Sequence, residues 1–414
     1  MAFQRPKGTA DILPAQAKKW QKLEAAAAEV FAQNNIEEIR TPMFEAYEVF
    51  SRSSGETSDV VSKEMYDFYD KGERHISLRP EGTAGVVRAY IENKLFAPEV
   101  PKPVKLWYKG PMFRYERPQA GRMRQFNQIG LEILGSASPL VDAESIYLAI
   151  KFYKKLGFKN LKVAINSLGD KESRDAYRTA LLDYLAPFKD DLSEDSKRRL
   201  DVNPLRILDS KDKKDKEITA NAPQVLDYLN ETSKEHFNKV LAIFDELDVE
   251  YVVDQSMVRG LDYYCHTIFE IMTTVEAYGG NELTICAGGR YDGLAELLGG
   301  EQTPGFGFAM GCERVLALIP DDEDDKQIDY FVLNVGDGTE IPSQVLVEKL
   351  RAKGYNVERD YLGRKLKGQF KAADKANAKF NIFVGSEELA DESVKLRNNE
   401  TKEESVVKIA ELVK

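Results

Sequence analysis

At 414 residues the chain exceeds what one ordinary core accommodates, so two or more domains are expected. A hydrophobic fraction of 43% and a charged fraction of 31% fit a globular protein, and no run of about 18 uncharged apolar residues exists to cross a membrane. The net charge of −11 speaks against a general nucleic-acid coat while leaving room for a local basic face, and three widely spaced cysteines argue against a disulfide framework or a zinc site.

In chain order, Trp20, Leu23, Ala27, Val30 and Phe31 recur at helical spacing and predict a helix from about Ala15 to Asn34. The opening Met-Ala-Phe-Gln-Arg-Pro-Lys-Gly has no apolar signal core, so a cytoplasmic location is expected. Ile36 to Phe50 reads as extended, with Pro42 at an edge or break. Met65 to Leu78 reads as a strand hairpin, and Pro80-Glu81 as the opening of a helix towards Lys94.

Val104–Glu116 and Gln125–Leu134 read as strands joined by the polar loop Arg117–Arg124, followed by a helix from about Val141 to Leu156. From about 170 to 250 the pattern is helical and highly charged, which suggests an inserted module. Extended segments return at Tyr263–Thr273, Glu282–Ala287 and Phe306–Met310, the last running into a helix. The acidic Pro320-Asp-Asp-Glu-Asp-Asp325 marks a domain boundary, giving domains at 1–325 and 326–414. The second alternates apolar runs with helical stretches, an α/β pattern with a mostly parallel sheet.

Three segments suit a charged ligand. In Gln125–Leu134, strand alternation sends Ile129, Leu131 and Ile133 one way and Gln128, Gly130 and Glu132 the other. That second face carries an amide, a carboxylate and a glycine that admits close approach. Arg114, Arg117, Arg122 and Arg124 crowd one hairpin, and guanidinium forks match phosphate. Gly305-Phe-Gly-Phe-Ala-Met-Gly311 turns into a helix with Arg314 in its first turn, a geometry that favours anions. Each segment alone also fits something plainer: a strand with a solvated face, a solvated loop, an ordinary turn.

Together, Arg114 and Arg314 in these settings resemble two signature motifs of class II aminoacyl-tRNA synthetases, and Ala15–Pro42 resembles the third. Val258-Arg-Gly-Leu-Asp-Tyr-Tyr264 and Ala287-Gly-Gly-Arg-Tyr-Asp-Gly-Leu294 resemble the histidine-specific motifs of the histidyl-tRNA synthetase family, as do Arg5-Pro-Lys-Gly-Thr9, Asp11-Ile-Leu-Pro14 and Leu78-Arg-Pro-Glu-Gly-Thr83. The resemblance implies an α+β catalytic domain, an antiparallel sheet flanked by helices with a helical insertion at about 170–250, plus a C-terminal α/β anticodon-binding domain. It implies a histidine–tRNA ligase acting as a homodimer on histidine, ATP with Mg2+, and tRNA(His), with no zinc and no membrane contact.

By the same resemblance Arg114 and Arg259 are catalytic. Arg114, Glu116 and Arg314 bind ATP. Glu81, Thr83, Gln128, Glu132, Arg259, Tyr263, Tyr264 and Tyr291 bind histidine. Arg117, Arg122 and Arg124 meet the acceptor end of tRNA, and Arg364, Lys365 and Lys367 its anticodon arm. The chain departs from the family pattern at Asn127, where histidine is common, and at Cys265-His266, where Asn-Arg is common. Alternation turns Asn127 away from Gln128, so the pocket is expected to be untouched. The alternative reading is a non-catalytic regulatory paralogue that assists ATP phosphoribosyltransferase; it typically lacks the C-terminal domain and has degraded ATP motifs.

Overall fold

The computed structural model describes residues 3–55, 58–118, 122–258, 261, 263–275, 281–319 and 327–413. It divides into two compact units, Met1–Asp321 and Asp322–Lys414.

The first unit opens with helix α1 (Pro14–Ala32), whose apolar stripe buries Leu23, Ala27, Val30 and Phe31. Strands β1 (Glu37–Glu38) and β2 (Phe44–Ala46) follow. The extended reading of Ile36–Phe50 fails at Tyr47, where helix α2 (Tyr47–Ser54) begins; Phe50 and the small Ser51, Ser53 and Ser54 are buried along it. The hairpin β3 (Tyr66–Tyr69) and β4 (His75–Leu78) joins β2 in a three-stranded sheet of order β2-β4-β3. Helix α3 (Thr83–Glu92) starts later than Pro80 suggests. The Glu81 carboxylate accepts the Thr83 and Ala84 amides at 2.6 and 2.9 Å, so residues 80–82 form the cap rather than the first turn.

Strands β5 (Val104–Phe113) and β6 (Gln125–Leu134) form the long hairpin, and helix α4 (Pro139–Lys155) follows behind its N-cap Ser138. After β7 (Leu161–Ser167) come the helices of the insertion, α5 (Lys171–Leu185), α6 (Glu194–Val202), α7 (Lys213–Thr219) and α8 (Glu231–Glu246). Part of this segment has its own core around Tyr177, Leu181, Leu185 and Ile207. The chain returns through β8 (Tyr251–Val253), β9 (Cys265–Val275), β10 (Asn281–Arg290), α9 (Leu294–Leu297), β11 (Gly305–Gly311) and α10 (Cys312–Leu316).

These strands build an eight-stranded sheet of order β1-β5-β6-β11-β10-β9-β7-β8, antiparallel except at its two edges, where β1 pairs with β5 and β7 with β8 in parallel. One face packs under α1, α4 and α8 through Ile129, Leu131, Ile133, Phe269, Phe306 and Phe308. Alternation leaves Gln128, Gly130, Glu132, Gly305 and Gly307 on the opposite face.

The second unit contains β12 (Ile328–Val335), α11 (Glu340–Ala352), β13 (Val357–Arg359), α12 (Leu366–Lys375), β14 (Ala378–Gly385), α13 (Ser386–Ala390), β15 (Ser393–Asn398), β16 (Glu404–Lys408) and α14 (Ile409–Leu412). Its sheet runs β13-β12-β14-β15-β16. The first three strands are parallel, but β15 and β16 add antiparallel pairs, so the sheet is mixed rather than mostly parallel. Among the described residues no helix is long and apolar enough to cross a membrane.

Candidate active site

A cleft of about 340 Å³ opens on the sheet face that carries Gln128. Glu81, Thr83, Arg114, Glu116, Arg122, Gln128, Tyr263, Tyr264, Tyr291 and Arg314 all line it. Residues separated by more than 200 positions in sequence thus meet in one place.

Strand register gives the cleft a direction. Gln125 of β6 stands opposite Phe113, Gln128 opposite Gly311, and Glu132 opposite Gly307. Arg114 follows Phe113, and Arg314 follows Gly311. Both arginines therefore flank the Gln125–Gln128 end, while Glu132 lies four residues further along, about 13 Å at ordinary strand rise. Arg114 is steadied by a 2.9 Å bond from its Nε to the Pro80 carbonyl, with its guanidinium over the Phe126 ring. The Arg314 Nη1 donates to the Thr284 carbonyl at 2.6 Å.

Glu132 is wholly buried, 0% exposed. The Thr83 hydroxyl donates to it at 2.7 Å, and the Tyr291 hydroxyl donates to its other oxygen. Burial pushes its carboxyl up to about 8; the Tyr291 and Thr83 hydroxyls oppose that rise, and the nearby Glu81 charge adds to it. Burial likewise raises Glu81, against the pull of the Ala84 and Thr83 amides. Two carboxyls buried in one pocket form a site short of positive charge. The Gln128 Oε1 is also buried and has no hydrogen-bond partner among the described residues. Tyr263 and Tyr291 complete the wall with rings 5.8 Å apart at 73°. Burial raises both hydroxyls well above the usual tyrosine range, so they remain donors.

Gly307 makes room for Glu132: a Cβ there would meet Oε2 at 1.9 Å. Gly130 does the same for Tyr108, whose ring would lie 2.3 Å from an added Cβ. Tyr108, buried beside Glu132 and Glu81, supports the pocket from behind and was missed by sequence reading. Its signal was its cross-strand pairing with Gly130, a large side chain opposite an absent one.

The Asn127 expectation needs correction. Its side chain does turn away from Gln128, but its amide nitrogens donate to Glu313 at 2.8–3.0 Å, and Glu313 lines the cleft. The Asn127 side chain thus touches a residue of the cleft wall. Cys265 is buried and its thiol pushed up to about 12 by burial. His266 takes a positive φ of 43° and stacks on His236. Among the described residues no group of three His, Cys, Asp or Glu could hold a metal ion.

Not every expected residue lies in the cleft. Arg259 falls outside the described residues. Arg117 is exposed beyond the cleft, and Arg124 packs over the Tyr115 ring at 3.7 Å while donating to the Glu116 carbonyl. Arg122 lines the cleft mouth and pairs with Glu116 at 3.8 Å. In the second unit Arg364 closes its own loop by pairing with Asp360 at 3.1 Å, and Lys365 and Lys367 are exposed beside it.

An antiparallel sheet with one arginine at a hairpin and another past a glycine-rich strand-to-helix turn defines a class II aminoacyl-tRNA synthetase catalytic domain. The family model described as histidyl-tRNA synthetase matches residues 8–315, and that of the anticodon binding domain matches residues 329–414. The chain belongs to the histidyl-tRNA synthetase family. It is 55% identical over 416 residues to a histidine–tRNA ligase of Ligilactobacillus salivarius, covering 100% of this chain and 96% of that one. It is also 55% identical over 413 residues to the histidine–tRNA ligase of Streptococcus pneumoniae strain P1031, covering 99% and 96%. The apo histidyl-tRNA synthetase of S. aureus superposes with a TM-score of 0.85 at 41% identity, covering 100% of this chain and 99% of that one.

Proposed function

We propose that this protein is a histidine–tRNA ligase, which activates histidine with ATP and transfers it to the 3′ end of tRNA(His). Identity of 55% across the whole chain to ligases supports this reading. The match of residues 329–414 to an anticodon-binding domain, with Arg114 and Arg314 both in the cleft, favours it over the regulatory paralogue.

The observation that carries the reading is the cleft's polarity: arginines at one end, the buried Glu132 carboxyl at the other. The histidine carboxylate attacks the α-phosphorus; its oxygen–phosphorus bond forms as the bond to pyrophosphate breaks. Negative charge builds on phosphoryl oxygens, so placed cations are the main catalytic need. We assign Arg114 to the α-phosphate, Arg314 to the γ-phosphate and Arg259 to the reacting carboxylate and α-phosphate, with Glu116 completing the ATP site. Where magnesium accompanies the triphosphate, Glu116 and Glu313, which line the cleft, would hold it, and it would neutralise charge on the phosphoryl oxygens.

Glu81, Thr83 and Gln128 take the α-ammonium group. The unpartnered Gln128 oxygen and the buried Glu81 carboxyl both favour a cationic donor. Glu132 and Tyr264 bracket the ring nitrogens, and Tyr263 and Tyr291 wall the ring. Arg117, Arg122 and Arg124 guide the acceptor end, while Arg364, Lys365 and Lys367 approach the anticodon arm, whose unpaired bases are open to edge contacts and stacking. The protein acts as a homodimer in the cytoplasm, where its buried free cysteines stay reduced.

The test is ATP–pyrophosphate exchange with each of the twenty amino acids, followed by charging of tRNA(His). Exchange with histidine alone is the expected result. Exchange with none, in folded protein, would return the regulatory paralogue.

A further inference from the structure

Behind the pocket wall lies a buried polar chain that the reaction does not use. Arg290, the last residue of β10, is 0% exposed, as is Asp142 in the first turn of α4. The Arg290 Nη2 pairs with Asp142 Oδ1, and Nε reaches Oδ2 at 3.3 Å. Its remaining donors hold the Ser136 and Ser138 carbonyls at 3.0 and 3.2 Å and the Asp292 carboxylate at 3.1 Å. Asp142 Oδ2 is engaged from the far side by His236 Nε2 at 2.8 Å. That oxygen belongs to a carboxylate already paired with an arginine, so Nε2 carries the proton and donates. His236 sits on α8, the last helix of the insertion.

The anchored arginine stands where the sheet is irregular. Between Gly289 and Arg290 the register against β9 jumps from Ile268 to Cys265. The extra residues, His266 and Thr267, lie on β9, and β10 ends at this irregularity. The next side chain is Tyr291, whose hydroxyl donates to Glu132. Its amide donates to the Gly305 carbonyl at 2.8 Å, and Asp292 on its other side accepts the Gly305 amide at 3.1 Å and the Arg290 guanidinium. Tyr291 is thus held between the buried Arg290 and the Asp292 carboxylate that pairs with it.

We propose that His236 is a positioning residue for histidine recognition. It fixes Asp142, which fixes Arg290 at the end of β10, which sets the Tyr291 hydroxyl against Glu132. The inference rests on the reading of this cleft as the histidine site. It also gives the insertion a direct line to amino-acid selection, since moving α8 would loosen the wall that contacts the ring.

The test is a double-mutant cycle. His236→Phe keeps the stack on His266 but removes the donor; His236→Gln keeps a donor. Each is made alone and combined with Tyr291→Phe, and histidine Kd, KM for histidine and ATP, and melting temperature are measured. His236→Phe should raise histidine Kd about tenfold, the scale of one hydrogen bond to a charged group, while KM for ATP moves less than about twofold. His236→Gln should recover most of the loss. In the Tyr291→Phe background, His236→Phe should change histidine Kd by less than about twofold. Additive losses, equal losses for both ligands, or Gln behaving like Phe would overturn the relay. Should the Phe variant not fold, His236→Ala enters the same cycle with the same criteria. A wild-type protein without histidine exchange would remove the underlying reading, whereas an active wild type with an additive cycle removes the relay alone.

Discussion

Two buried carboxyls, both 0% exposed, behave in opposite ways. Asp215, in the insertion, accepts the Ser193 amide and the hydroxyls of Ser193, Ser196 and Ser210 at 2.6–2.9 Å. Burial alone would raise its pKa, but these donors outweigh it and pull it down to about 2. Glu132, in the cleft, has two hydroxyl donors, and burial carries it up to about 8. Where the chain satisfies its own carboxylate, the group holds the fold together. Where the chain leaves it short of donors beside an open cleft, the proposed histidine site supplies the missing partner.

The largest test of that contrast is removal of each carboxyl. Glu132→Ala should weaken histidine by at least about 10³-fold, because a buried ring nitrogen is left unpaired. KM for ATP should stay within about threefold. Matching losses for both ligands in pyrophosphate exchange would mean that Glu132 serves the pocket's structure and not the ring. Asp215→Ala should reverse the pattern. Three serine hydroxyls lose their acceptor, which should cost about 3 kcal/mol or more. The loss should appear as faster hydrogen exchange across α6 and α7, with KM for histidine unchanged. A shifted histidine KM there would erase the distinction between the two sites.

A smaller effect tests the packing that keeps Glu132 in place. Gly307→Ala puts a methyl within 1.9 Å of Oε2. The methyl also meets the Leu131 carbonyl at 2.4 Å, so carboxyl and strand must both move; histidine KM should rise about tenfold, the scale of a displaced hydrogen bond to a charged group, and the melting temperature should fall. An unchanged KM for histidine would show that the carboxyl has room to shift at no cost to recognition.

The pocket was partly legible in sequence for a physical reason. Period-two alternation in Gln125–Leu134 placed Gln128, Gly130 and Glu132 on one face, and the strand runs between those same residues. Alternation says nothing about what covers that face. The cover comes from Thr83, Tyr263 and Tyr291, so the total burial of Glu132 depends on contacts across 49 and 159 residues. Asp215 was less legible, lying in Lys211-Asp-Lys-Lys-Asp-Lys216, which reads as a solvated charge run; its serines lie up to 22 positions away. In the second unit β15 hid in the charged stretch Ser393–Asn398, where Val394 alone is 0% exposed. Local patterns fixed each strand's faces, while the mixed sheet and the bulge at Arg290 arose from partners distant in sequence.

The smallest expected effect is the dependence of stability on pH, and it separates the two carboxyls most cleanly. The folded pKa of Glu132 is raised, to about 8, above the ordinary glutamate value near 4.5. Its stabilising share is therefore complete below about 4.5 and is lost as pH rises through about 8. Asp215 and Asp142 are lowered, so their share is complete above the ordinary aspartate range and is lost in acid. The two windows do not overlap. Melting of the ligand-free protein should fall between pH 5 and 8, and Glu132→Gln, which cannot ionise, should flatten that fall by about 3 °C or more. Its acid limb should follow the wild type. Saturating histidine should steady the wild-type neutral limb, because a ring N–H of the bound amino acid donates to the ionised carboxyl. Parallel melting curves for wild type and Glu132→Gln across pH 5 to 8 would show that the cleft carboxyl is as well satisfied as Asp215, and the contrast between the two regions would collapse.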